Sequence, residues 1–135
     1  MSRSPSVNVP AARYRALVVE DDPAIRRLVE RLLARKNIDI DTAADGETAV
    51  SLLGSNHYSV VILDLMVPGL DGFAIIDTIR LQPRRPPVAV VSAVSHQALT
   101  KLDLDIVKVV ISKPFDVDEF TKAVLELCAE AEAVP

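Results

Sequence analysis

Residues 60–64 read Val-Val-Ile-Leu-Asp, four apolar side chains in a row that end on a carboxylate. A run this short, rich in β-branched residues, has the length of a strand, and its unbroken apolarity fits a strand covered on both faces. The same signature recurs along the chain: Ala16 to Val19 runs into Glu20, Asp21 and Asp22, Val88 to Val91 into Ser92, and Val107 to Ile111 into Ser112 and Lys113. A fifth candidate, Ile38 to Ala43, alternates apolar and polar residues and reads as an edge strand.

Helical periods fill the intervals. Ile25, Leu28, Val29, Leu32 and Leu33 fall on one stripe, with Arg26, Arg27, Glu30 and Arg31 on the face expected to meet water. Asp22 before Pro23 supplies a cap and a first-turn proline, Asp45 and Asp71 precede the next two helical segments, and Asp116 with Glu119 gives a capping-box pattern for the last. That last helix is expected to bury Val117, Phe120, Val124, Leu127 and Cys128. Leu99 to Lys108 shows no clear period and reads as a short helix followed by irregular chain. Strands alternating with helices specify an α/β fold, a five-stranded parallel sheet with helices on both faces.

The chain's 135 residues, half of them hydrophobic and a quarter charged, suit one globular domain. Fifteen Lys and Arg against 19 Asp and Glu, a net charge of −4, argue against a surface built to neutralise nucleic-acid backbones. No stretch approaches the ~20 apolar residues of a membrane span. Met1 to Pro10 is polar and proline-punctuated, which reads as a loose tail rather than an export signal. Cys128, the sole cysteine, allows no intrachain disulfide and points to core packing in a protein of the reducing cytoplasm. His57 has no second histidine or cysteine at ligand spacing, and Arg84-Arg85 among Pro83, Pro86 and Pro87 reads as a stiff solvated loop.

With right-handed crossovers, the carboxyl ends of parallel strands share one edge of the sheet, where ligands bind in such folds. That edge would gather Glu20, Asp21, Asp22, Asp64, Ser92 and Lys113. Carboxylates held together repel unless a cation sits among them, and hard oxygen donors of this kind suit Mg²⁺. With a lysine and a hydroxyl added, the set becomes a phosphate-handling constellation in which a carboxylate can act as nucleophile.

Val18-Val19-Glu20-Asp21-Asp22, Leu63-Asp64-Leu65-Met66-Val67-Pro68-Gly69 with Asp71-Gly72, Val91-Ser92-Ala93 and Ser112-Lys113-Pro114-Phe115, in this order, resemble the receiver domain of two-component response regulators, and of its single-domain, chemotaxis-regulator-like members. The resemblance spans about Tyr14 to Ala129. It implies a flavodoxin-like (βα)5 fold with strand order 2-1-3-4-5, a receiver domain over residues 14–130, and tails at 1–13 and 131–135. It further implies that Asp64 accepts a phosphoryl group from a sensor histidine kinase or histidine phosphotransfer protein. Asp21, Asp64 and the Met66 carbonyl would ligate Mg²⁺, with Glu20 acting through a bound water. Lys113 and Ser92 would hold phosphoryl oxygens, with Lys113–Pro114 a candidate cis bond, and Pro68 and Gly72 would shape the neighbouring loop. Asp22, one position past the acidic pair, is better explained as a cap.

The sequence departs from the family where signalling is concerned. Val110 stands where many receivers carry Tyr or Phe, and Leu104 to Lys108 replaces the usual Gly-Ala pair. Two other functions stay open at this point. An aspartyl-nucleophile phosphatase would need a second aspartate where Met66 stands; a degenerate receiver would bind its partner without phosphate.

Overall fold

The computed structural model describes residues 13–65, 72–93 and 100–133. In chain order they form β1 (Tyr14–Val19), α1 (Pro23–Ala34), β2 (Ile38–Ala43), α2 (Gly46–Ser55), β3 (Val60–Leu63), α3 (Gly72–Arg80), β4 (Val88–Ser92), β5 (Val107–Ser112) and α4 (Val117–Ala133). The strands make one parallel sheet in the order β2-β1-β3-β4-β5, the flavodoxin-like arrangement expected.

Because successive side chains of a strand point to opposite faces, each apolar run feeds two cores. Leu17, Val19, Val61, Leu63 and Val90 pack with Ala49 and Leu53 of α2 and Ile75 and Ile79 of α3. Ala16, Val18, Val60, Ile62 and Val91 pack with Val29 and Leu33 of α1 and Phe120, Val124 and Cys128 of α4. Two covered faces are the reason Ala16 to Val19, Val60 to Leu63 and Val88 to Val91 carry no polar residue.

Local chemistry sets the helix boundaries. The Asp22 carboxylate accepts from Ala24 N at 2.9 Å and Ile25 N at 3.4 Å, Asp45 from Thr48 N at 2.8 Å, and Asp116 from Glu119 N at 2.9 Å. These bonds satisfy N–H groups that have no partner within their helices. The return bond of the capping box, from the Asp116 N–H to the Glu119 side chain, is not formed among the described residues. Asp71 lies outside them. Asn37, at φ 59°, turns α1 into β2 in the left-handed region that asparagine tolerates better than most residues. Gly72 opens α3 against backbone: its N–H donates to the Leu65 carbonyl at 2.9 Å, and a Cβ there would lie 2.5 Å from the Leu65 Cα.

Some expectations from periodicity need correction. Leu28 and Val117 sit on the predicted apolar stripes yet are 41% and 40% exposed, because each lies at the margin of its stripe, beyond the reach of the sheet. Arg26 does not simply face water; its Nη1 donates to the Glu20 carbonyl at 2.9 Å. β5 is an edge strand whose Lys108, Val110 and Ser112 are exposed in alternation, so its apolar run is not covered on both faces. Of the irregular fourth crossover, residues 100–106 form turns that end in hydrogen bonds from Ile106 N and Val107 N to the Asp103 carbonyl.

Phe120 is fully buried, with its ring centroid 4.9 Å from that of Phe115. Phe120→Ala is expected to lower the unfolding free energy by about 3–5 kcal/mol, read from the shift in urea midpoint.

Candidate functional site

The sheet pairing continues one residue past several strand ends, and this continuation positions the polar cluster. Glu20 N donates to the Ala43 carbonyl at 3.0 Å, Asp64 N to the Val19 carbonyl at 3.0 Å, and Lys113 N to the Ser92 carbonyl at 3.3 Å. The side chains at the carboxyl ends of β1, β3, β4 and β5 are thereby fixed to backbone that is itself hydrogen-bonded.

Glu20, Asp21, Asp64, Ser92 and Lys113 come together as the spacing predicted. The Lys113 ammonium donates to Glu20 Oε1 at 2.7 Å and to Asp64 Oδ2 at 3.0 Å. The Ser92 hydroxyl donates to the other Asp64 oxygen, Oδ1, at 3.1 Å. Glu20 Oε2 accepts from the Asp22 N–H at 3.2 Å. Asp22 itself turns its carboxylate to the start of α1, so its capping role is the one observed. Glu20, Asp64 and Ser92 are buried, whereas Asp21 is exposed and its carboxylate has no hydrogen-bond partner among the described residues.

One ammonium is shared by two buried carboxylates, and the electrostatics follow from that shortage. Burial pushes the Glu20 carboxyl above its ordinary range by more than the Lys113 hydrogen bond pulls it down. Burial also works against the Lys113 charge, but the hydrogen bonds to Glu20 and Asp64 outweigh it and hold the ammonium above its ordinary value. Carboxylate oxygens of Glu20, Asp21 and Asp64 lie within 4.8 Å of one another. Three carboxylates facing one ammonium form a donor set with unbalanced negative charge, composed of hard oxygen atoms and open to solvent on the Asp21 side. That chemistry fits a small divalent cation.

Other candidates lie elsewhere. Met66, Pro68 and Gly69 fall outside the described residues. His57 is exposed before β3, at the far end of the sheet, and Cys128 is buried in the core beneath α4. The Lys113–Pro114 bond is cis, as expected. Arg26 is a positioning residue that periodicity placed in solvent: its guanidinium reaches back across the first turn of α1 to the carbonyls of Glu20 at 2.9 Å and Asp21 at 3.4 Å, tying down the backbone of the acidic pair. Its sequence signal is an arginine one helical turn after a strand-end acidic pair. Among the described residues, no helix is long and apolar enough to cross a membrane.

Comparison with known proteins agrees with this geometry. Residues 16–125 match the family model of the response regulator receiver domain. The transcriptional regulatory protein TcrA of Mycobacterium tuberculosis is 37% identical over 106 residues, covering 78% of this chain and 42% of that protein. Response regulator ArlR of Staphylococcus aureus is 33% identical over 105 residues, covering 76% and 47% respectively. The chain thus spans under half the length of these curated relatives. Among solved structures, response regulator TrrA from Thermotoga maritima, in complex with Mg²⁺-BeF, superposes with a TM-score of 0.75 at 33% identity over 84% of this chain and 98% of that one. The receiver domain of sensor histidine kinase PA1611 from Pseudomonas aeruginosa, with a magnesium ion coordinated in its active-site cleft, gives 0.77 at 26% over 86% and 98%. The sheet order, the strand-end cluster and these matches together establish that the chain belongs to the response regulator receiver domain family, phospho-acceptor modules of two-component signalling.

Proposed function

We propose that Asp64 is the phosphoryl acceptor of this receiver and that its donor is the phosphohistidine of a sensor histidine kinase or a histidine phosphotransfer protein, in the cytoplasm. The observation that carries this reading is the occupation of both Asp64 oxygens by donors from other strands, Ser92 on one and Lys113 on the other. A carboxylate held this way is oriented and buried on an edge that remains open beside Asp21. The working domain is residues 14–130.

In transfer, an Asp64 oxygen attacks phosphorus, a P–O bond forms, and the P–N bond to the donor imidazole breaks with its electron pair returning to the ring. Lys113 then trades a carboxylate oxygen for a phosphoryl oxygen, and Ser92 donates its hydroxyl to another, drawing β4 and its following loop toward the new group. Glu20, Asp21 and Asp64, with the main-chain carbonyl of Met66, are the residues that would hold Mg²⁺. When bound, the ion would neutralise charge on the transferring phosphoryl oxygens. Arg26 keeps the Glu20 and Asp21 backbone in place throughout. The phosphorylated and free arrangements differ in what Lys113 and Ser92 bind, so the modification acts as a population shift that alters protein contacts.

Incubation with a small phosphodonor and Mg²⁺ is expected to add one hydroxylamine-sensitive acyl phosphate, seen by mass. The reading fails if Asp64→Asn still acquires it; Ser92→Ala should acquire it more slowly. Mg²⁺ at ten times its dissociation constant should raise the unfolding free energy by about 1.4 kcal/mol. Asp21→Asn should lose most of that increment in thermal melts.

The buried Glu20 carboxyl gives a pH signature in metal-free protein. Its pKa is raised in the folded chain, so the native state binds more protons than the unfolded state in the interval above the ordinary value of 4.5. Stability should therefore fall as pH rises through that interval, and Glu20→Gln should flatten this part of the profile in chelator-containing buffer.

A further inference from the structure

At the opposite edge of the sheet, where the strands begin, a cavity of about 800 Å³ opens between the segments that lead into β3, β4 and β5. Small-molecule sites commonly enclose about 300–1,000 Å³. The cavity shares nothing with the Asp64 cluster, which lies at the carboxyl ends of the same strands.

Its lining runs against the charge of the molecule. In a chain of net charge −4, it gathers Arg84, Arg85 and Lys108 from two separate segments, with His57 from a third. The side chains of Arg84, Lys108 and His57 make no hydrogen bond or ion pair with other described residues. Arg85 uses only its Nε, which donates to the Arg80 carbonyl at 2.9 Å; its terminal N–H groups are left over. Two carboxylates, Asp105 and Glu130, share the lining. Pro83 and Pro87 contribute a stiff apolar wall, backed by the buried Tyr58 and Pro86.

Lys108 is placed there by a defect in the sheet. Val88 pairs with Val107, but Ala89 pairs with Val109, so the register skips Lys108 and leaves it without a partner across β4. A bulge of this kind re-aims a side chain at the cost of ladder pairing, and such bulges concentrate beside binding sites. Here the re-aimed side chain is one of the three permanent cations of the cavity.

We propose that this cavity binds a phosphorylated small molecule of the nucleotide class. The phosphate takes the guanidinium and ammonium groups of Arg84, Arg85 and Lys108, the ring lies against the wall of Pro83 and Pro87, and the sugar or base donors reach Asp105 and Glu130. A bare anion would leave the carboxylates repelling it and the apolar wall unused. The competing occupant is the chain's own leading segment, residues 1–12, which precedes β1 in sequence; Ser59, on the cavity wall, bonds Arg15 of β1 through its N–H and its hydroxyl. That segment carries Arg3 and no acidic residue, which opposes it to a cationic wall.

The test is amide NMR of the full chain, titrated with GDP and with ADP in EDTA so that the Asp64 end is without metal. At least one diphosphate is expected to shift residues 57–59, 84–85 and 105–108, equally in wild type and Asp64→Asn. Arg84→Glu and Lys108→Glu, whose unchanged melting temperatures would show intact folding, should each weaken binding about tenfold or more. The proposal is overturned if neither diphosphate shifts these residues at millimolar concentration, or if guanosine or adenosine binds as tightly as its diphosphate. It is equally overturned by shifts confined to the Asp64 end, by charge reversal without effect, or by a response to nucleotide only after residues 2–12 are deleted.

Discussion

The ammonium of Lys113 is the constraint on which the carboxyl edge of this molecule depends. It reaches from the end of β5 past β4 and β3 to a residue that follows β1, bonding Asp64 and Glu20 on the way. Two buried carboxylates at this separation would repel each other in a medium that screens poorly, and removing the shared cation would leave both uncompensated. The ion pairs therefore do more than link three strands. They orient both acid side chains and offset part of the burial that raises the Glu20 carboxyl.

The rest of the architecture serves that storage. Each acidic or basic group hangs on a strand end whose backbone is bonded to its neighbour, and each strand is clamped between helices by side chains on both faces. Sites on such rigid elements hold geometry better than sites on loops. The edge is asymmetric in exposure: Glu20, Asp64 and Ser92 are buried, Asp21 is open. Among the described residues, Asp21 is thus the acid of the cluster that solvent reaches, while Glu20 and Asp64 are set into the sheet edge behind it. β3, β4 and β5 carry this cluster at one end and a cation-lined cavity at the other, so a single set of strands frames two chemically distinct openings.

Most of the fold and the central cluster could be read from residues alone because the relevant signals are local. Val60 to Leu63 is a strand on composition, Asp22, Asp45 and Asp116 are caps by position, and polar residues at strand ends must converge once the sheet is parallel. What escaped the reading depends on neighbours that periodicity does not name. Leu28 and Val117 obey the helical stripe but lie beyond what the sheet covers. Val107 to Ser112 has the apolarity of an interior strand, yet no described helix lies over Lys108, Val110 and Ser112, so that face meets water. The spacing of Arg26 places it in solvent, while its actual partner is a main-chain carbonyl, a group with no side-chain signature. The basic cavity was invisible for a related reason: Arg84, Lys108 and His57 are far apart in sequence, and a bulge of one residue has no pattern of its own.

The bond from Gly72 N to the Leu65 carbonyl, made close by the absence of a side chain at Gly72, brings the end of β3 and the start of α3 to one point. Any side chain at position 72 would push the two backbones apart, so the junction is fixed by what glycine lacks. The scaffold thereby holds the residue that follows Asp64 against the first turn of a helix, and a substitution at Gly72 would be felt at the strand end although it touches no polar group there.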